Sequence, residues 1–304
     1  MKTSLSILFV ISSLFSAFAN RIDDLKTAKD VEAFVTSIDT NIQKSISQGQ
    51  PFYVIPDSTL ACDENYGALV TKSGIRSWEK IDLNGDGRTD LLVHGGCFGT
   101  AVFVAIDMGG DLYKLYRLFK RFDTDLEVAR AVQVNGQTVL ILYGQSCKGE
   151  SIVKSRDTLI YRDEGFVEYQ AHPAHYHIAY ITFTAGGCPM GTCQAYRIRI
   201  NEEGSARYVA SSYIPNEGVY TGNLNAADLG RIKGLVNYTR FRAIREPFED
   251  CSVMDAGIWT IEVGFADGSK KRYDVRGDQA PFGLLAIEDF FSEIRQTQRW
   301  EKIK

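Results

Sequence analysis

The chain is poor in the residues from which catalytic centres are usually recognised. It has only 4 histidines, at positions 94, 172, 175 and 177, and 3 tryptophans. No His-Glu-x-x-His pair, Gly-rich phosphate loop or Gly-x-Ser-x-Gly elbow occurs, and "GQSCKG" has the wrong spacing for an elbow. Cys-x-x-Cys is missing too, which argues against a thioredoxin-type redox pair and a zinc ribbon. A basic excess is absent: 34 Lys and Arg face 38 Asp and Glu, for a net charge of −4. A weakly acidic, unclustered charge pattern argues against nucleic acid as a partner. Beyond the first residues no run of 18 apolar side chains exists, so no membrane span is expected in the mature chain.

The first residues, "MKTSLSILFVISSLFSAFAN", are different. Lys2 supplies a positive start and Leu5 to Phe15 an apolar stretch too short to cross a bilayer. Ala17-Phe18-Ala19 is a small-x-small cleavage site. Residues 1–19 are therefore expected to be a signal peptide, and the mature chain to begin at Asn20 and be exported to the periplasm or beyond. The competing reading is a hydrophobic first helix of the fold. No cysteine follows the cleavage site, so a bacterial lipid anchor is not expected. Six cysteines, at 62, 97, 147, 188, 193 and 251, form an even set that in an exported chain reads first as disulfides.

The remainder suits one large or two modest domains. Val31, Phe34, Val35, Ile38, Ile42 and Ile46 recur with a helical period over Thr27 to Ile46, and Thr27 with Asp30 resembles a capping box. Phe52 to Tyr169 reads as short strands, with hairpin signals at Asn135-Gly136 and around Asp163-Glu164-Gly165. "AHPAHYH", residues 171–177, interrupts the pattern and is the expected boundary between domains 20–172 and 173–304. Strands follow at Ile178 to Thr184, Ala195 to Ile200 and Ala206 to Tyr213. "NLNAADLGRIKGLVNY" is an expected helix with Asn225 as cap, and Asp267-Gly268 another hairpin turn. Pro281 opens a last helix. Strands and helices come in blocks, so the expected class is α+β: two mainly antiparallel β domains, each with packed helices. "LLVHGGCFGT" and "ITFTAGGCPMGT" share a strand, Gly-Gly-Cys, Gly-Thr order; they fit either related units or two independent Gly-rich turns.

"DLNGDGRTD", Asp82 to Asp90, places oxygen side chains at alternate positions. Calcium takes six to eight hard oxygens at roughly 2.3–2.6 Å. A curled loop would turn Asp82, Asn84, Asp86 and Asp90 inward, with the Arg88 backbone carbonyl as fifth ligand and a water or bidentate carboxylate completing the shell. Gly87 permits the sharp turn. An EF-hand needs Glu at the twelfth position, where this chain has Val93. The loop resembles instead the strand–loop–strand calcium motif of integrin-type and related bacterial surface repeats. That resemblance implies a structural calcium ion. A plain turn, without metal, is the alternative for such Asn-Gly and Asp-Gly dipeptides.

"GGCPMGTCQAYRIRINEEGSARYVA" carries a second resemblance, to the bacterial domain of unknown function 6438. The signature positions are Cys188, Gly191, Cys193, Tyr196, Gly204 and Tyr208, and the resemblance runs over about 178–300. Here four residues separate the cysteines where the family has three, and Gln194 stands in place of proline. The resemblance implies no activity. Cys188 and Cys193 flank a tight connection suited to a disulfide, with a redox switch or metal clip as the other reading. Cys97 and Cys147, each ending a strand at a Gly-rich turn, are the second candidate pair; Cys62 and Cys251 are left open. His175 and His177 could share a strand face and bind zinc or copper, His94 precedes Cys97 by three residues, and "RFRAIR" (Arg240, Arg242, Arg245) could meet an acidic partner or simply face solvent. The leading expectation is a non-catalytic, calcium-stabilised exported binding or scaffold protein with a protein or glycan ligand. The alternative is a hydrolase using calcium or the His172, His175 and His177 group.

Overall fold

The computed structural model describes residues 20–40, 42–43, 51–96, 101–119, 126–148, 151–186, 188, 191–246, 257–277 and 280–303. The expected signal peptide, Cys97 and Cys251 lie outside them. The described chain is mostly antiparallel β-sheet with a few helices, as an α+β reading requires.

The first helix, α1 (Ala28–Ile38), starts on the capping box: the Asp30 N–H donates to Thr27 Oγ1 at 3.2 Å and the Thr27 N–H to Asp30 Oδ2 at 2.8 Å. It breaks at Asp39, inside the expected span; helical backbone resumes at residues 40 and 42–43, and residues 44–46 of that span lie outside the described residues. Asp39 turns extended (φ −126°, ψ 116°), and its carboxylate accepts from the Ile42 N–H at 3.0 Å. An aspartate able to cap a new turn competes with helix continuation. Two short helices follow, α2 (Asp57–Ala61) and α3 (Gly67–Ser73).

Three sheets are stacked. The first contains β1 (Tyr53–Val54), β2 (Trp78–Ile81), β3 (Asp90–Gly96), β4 (Ala101–Gly109) and β5 (Leu112–Leu118), with β3 paired to both β1 and β2. The second is β6 (Val128–Val134), β7 (Gln137–Lys148), β8 (Ser151–Arg162) and β9 (Gly165–Glu168). Alternation along β3 and β4 gives each of its faces a partner. Leu91, Val93, Phe103 and Ala105 pack on α1, while Leu92, Val102, Val104 and Ile106 meet Leu140, Leu142 and Leu159 of the second sheet. The result is a β-sandwich with α1 on its outer side.

The third sheet has the order β15-β14-β10-β11-β12-β13-β16, from β10 (Ile178–Gly186), β11 (Ala195–Asn201), β12 (Ser205–Ser212), β13 (Gly218–Asn223), β14 (Ile258–Phe265), β15 (Lys270–Arg276) and β16 (Glu301–Lys302). Helices α4 (Ala226–Tyr238) and α5 (Phe282–Thr297) cover one face. Phe183 of β10 stacks on Phe291 of α5, ring centroids 5.0 Å apart. Val139, Ile160 and Val167 of the second sheet join this same core, so apolar packing runs on across residues 171–177. Polar contacts cross as well. Glu168 accepts from the Phe282 and Gly283 N–H groups at 2.6 and 3.0 Å, and so meets the orphan donors at the start of α5. Arg231 of α4 makes a forked pair with Glu293 of α5 at 3.1 Å and donates to the Asp163 carbonyl at 2.9 Å, with Lys114 of β5 at 3.4 Å from Glu293.

Candidate metal centre

The stretch 82–90 joins β2 to β3, and its side-chain oxygens fold it. Asp82 accepts from the Gly85 N–H at 2.7 Å and the Gly87 N–H at 2.9 Å. Asn84 Oδ1 accepts from the Asp86 N–H at 3.0 Å, and Asp86 Oδ1 from the Arg88 N–H at 2.8 Å. Each is a local side-chain turn that turns the chain tightly. Gly85 and Gly87 sit at φ 77° and 81°, a region costly for other residues. Leu83 points the other way and is buried between the sheets, which anchors the loop to the core.

Asp90 is the loop's inner end, fully buried as the first residue of β3. Its carboxylate accepts from the Leu83 N–H at 2.8 Å and, across the sheet, from the Asp107 N–H at 2.9 Å. Burial pushes its pKa up to about 6; the two N–H donors oppose that shift, and the negative charges of Asp86 and Asp82 add to it. Asp90 thus feels the charges of Asp86 and Asp82. Arg88 stands in part for a cation: its guanidinium pairs with Asp86 and donates to the Asp107 carbonyl at 3.1 and 3.2 Å. Asn84 Nδ2 also donates to Asp86, at 2.8 Å. Among the described residues no three Asp, Glu, His or Cys side chains converge as a metal cluster. The donor set for an ion would therefore combine Asp82, Asp86 and Asp90 with neutral oxygens of Asn84 and Arg88, and Asp86 would have to release its present partners. Asp107, on the β4–β5 bulge, is a buried member of this neighbourhood that the spacing pattern does not reveal.

The histidines are apart from it. His94 is buried, and its Nε2 accepts from the Ala129 N–H of β6 at 2.9 Å, joining the two sheets of the sandwich. Burial lowers its pKa to about 4, so it is neutral at pH 7. His172, His175 and His177 are all exposed. Ser77 lies near His94 but donates to Asp57, so no serine–histidine relay forms there. Arg242 of "RFRAIR" pairs with Asp267 at 2.8 Å. Cys62 is exposed and free among the described residues.

In the C-terminal half, Cys188 and Cys193 form a disulfide, Cα atoms 5.7 Å apart, around Gly191 at φ 69°. Tyr196 and Tyr208 lie in the core beneath the third sheet, rings edge to face at 6.2 Å. Gly204 closes the β11–β12 turn at φ 92°, where a Cβ would meet Leu229 at 3.2 Å. Residues 179–295 match the family model described as Domain of unknown function (DUF6438). That match bears out the resemblance drawn from the cysteine loop. The residues that carry the resemblance are here a staple, two turn glycines and two core tyrosines. Comparison with curated proteins finds no match, and comparison with solved structures finds none either. Between the DUF6438 region and the sandwich lies a cleft of about 850 Å³, lined among others by Lys114 and Arg117 of β5, Trp259 of β14, and Glu288, Asp289 and Glu293 of α5. Partial desolvation raises the pKa of Asp289, which is itself exposed on the cleft wall, against the pull of Lys114 and Arg231.

Proposed function

We propose that this chain is an exported, non-catalytic binding or scaffold protein whose N-terminal sandwich is locked by a structural calcium ion. The observation that carries the reading is Asp90: a fully buried carboxylate, repelled by Asp82 and Asp86, at the joint of β2, β3 and the β4–β5 bulge. A divalent cation between these groups turns mutual repulsion into attraction. Asp82, Asn84, Asp86, Asp90 and the Arg88 carbonyl would hold it, and hard oxygen donors of this kind suit calcium. The Arg88 guanidinium would then be left to the Asp107 carbonyl alone. The leader-like residues 1–19 support export, and extracellular calcium modules work at dissociation constants of roughly 0.1–1 mM.

Thermal melting tests this. Calcium at about 100 times its dissociation constant adds about 2.7 kcal/mol of stability, a rise of a few degrees for a chain of this size. Asp86→Ala should abolish the rise. An unchanged melting temperature with and without calcium defeats the proposal. Export has its own test: N-terminal sequencing of the mature protein should begin at Asn20.

The cleft, with the carboxylates of Glu288, Asp289 and Glu293 along one wall, favours a hydrolase as the second reading. Against it, Glu293 is committed to Arg231 and Lys114. Hydrolysis of chromogenic glycosides or esters that Asp289→Asn eliminates would put that reading first.

A further inference from the structure

The third sheet has one covered face and one that meets solvent. Pairing fixes which residues share the open face. Thr182 stands opposite Glu262 on one side and Arg199 on the other, Arg199 opposite Arg207, and Arg207 opposite Thr221. One step along, Thr184 stands opposite Arg197. Arg197, Arg199 and Arg207 are exposed, while Ile198, Ile200 and Tyr208 between them are buried against the helices.

The two halves of this face handle charge differently. On β14 and β15 the charges cancel: Arg272 pairs with Asp274 at 2.7 Å, and Lys270 lies 3.6 Å from Glu262. On β11 and β12 the three arginines make no ion pair among the described residues. Arg199 and Arg207 are direct cross-strand neighbours, and like charges in that relation destabilise a sheet. The Arg199 guanidinium carbon lies over the Tyr180 ring, 3.6 Å from its centroid. Beside it Thr182, only 4% exposed, has a hydroxyl with no hydrogen-bond partner. A chain of net charge −4 thus concentrates unpaired cation on one patch and places hydroxyls around it.

We infer that the open face of β10, β11 and β12 binds an anionic polysaccharide, with Arg197, Arg199 and Arg207 taking successive carboxylate or sulfate groups. Guanidinium forks match those anions in two-point hydrogen bonds. Opposed residues stand about 5 Å apart across strands, and residues two apart along a strand about 7 Å, a spacing suited to charges on successive sugar rings. The exposed hydroxyls of Thr184 and Thr221, on the same face, suit sugar hydroxyls. The competing polyanions fit less well. Tyr180 lies under Arg199, so the patch offers no free aromatic platform for nucleobases. Val209 and Val219, the apolar neighbours, are half-buried and do not protrude as membrane anchors would. An acidic peptide adding as a strand would need a sheet edge, and β11 and β12 are interior strands. The inference names a ligand class for the proposed binding role, but it does not depend on calcium.

The test is binding of the full chain to heparin and to polygalacturonate at low salt, in calcium and in chelator, with neutral dextran, an oligothymidylate, phosphatidylglycerol vesicles and polyglutamate as comparisons. At least one anionic polysaccharide should bind and dextran should not. The variant Arg197→Gln/Arg199→Gln/Arg207→Gln should weaken binding about tenfold or more. Lys26→Gln/Lys29→Gln/Lys72→Gln, with the same charge change elsewhere, should stay within about twofold. The arginine variant should melt within a few degrees of the parent, because relief of the opposed like-charge pair offsets the lost Arg199–Tyr180 contact. Failure of both polysaccharides, an equal loss in the lysine variant, or tighter binding to the oligonucleotide, vesicles or polyglutamate overturns the inference. None of those results alters the calcium-dependent melting, so the two proposals fail separately.

Discussion

Two strand connections in this molecule are tied down by opposite means. Loop 82–90 is held by side-chain oxygens that accept backbone N–H groups, and its charge is left nearly unbalanced. Loop 188–193 is held by a covalent staple between two cysteines. A staple acts mainly by restricting the unfolded chain and needs nothing else. A ring of carboxylates acts in the folded state and becomes strong only when a cation answers its repulsion. The N-terminal loop should therefore respond to calcium and pH, and the C-terminal one to reductant alone.

The sharpest way to break that contrast is Asp90→Ala. It strands the Leu83 and Asp107 N–H groups in the core. An unsatisfied buried donor costs about 1–3 kcal/mol each, so a loss of about 3 kcal/mol in denaturant unfolding is expected, with no calcium response remaining. Next, Cys188→Ser/Cys193→Ser should cost about 2 kcal/mol, the value for so short a closed loop, and leave the calcium response unchanged. A calcium response lost with the disulfide would erase the distinction.

The pH dependence sharpens it further. Folded Asp90 holds its proton up to about pH 6, above its unfolded value, so its contribution to stability falls as pH rises from about 4 to 6. His94 is the reverse: its pKa is lowered to about 4, so its contribution grows from about pH 4 to 6.5. Without calcium the two slopes largely cancel. With calcium the Asp90 carboxylate is held ionised, and stability should climb over this window; the calcium-induced shift in melting temperature should be clearly larger at pH 7 than at pH 5. A shift independent of pH would exclude Asp90 as a ligand. The smallest effect is at the helix cap far from either loop. Thr27→Ala should cost about 1 kcal/mol, with calcium response and pH profile intact.

Local features were legible in the sequence because local chemistry decides them. Asn135 and Gly136 take φ 51° and 77°, as a tight hairpin turn needs, and Thr27 and Asp30 form the cap their spacing suggests. Asn225 caps α4 through the Asp228 N–H at 2.8 Å. The break at Asp39 was less so, since this residue sits inside an apolar period yet caps a fresh turn. What pairs at long range was not legible. Nothing local says that Asp107, 17 residues on, offers its N–H to Asp90, or that His94 joins two sheets through Ala129. The Glu168 contact with the start of α5 spans 114 residues, and the basic face of the third sheet emerges only from strand register. Only the pairing shows Arg199 and Arg207 to be opposed.

Terbium luminescence reports directly on a cation in loop 82–90. Trp78 lies in β2, the strand that leads into loop 82–90, and can pass excitation to a lanthanide bound there. Titration should give tryptophan-sensitised emission that saturates, is displaced by calcium, and is lost in Asp82→Ala and Asp86→Ala. Emission that never rises above that of free terbium, or that survives both substitutions, would contradict a metal site in this loop.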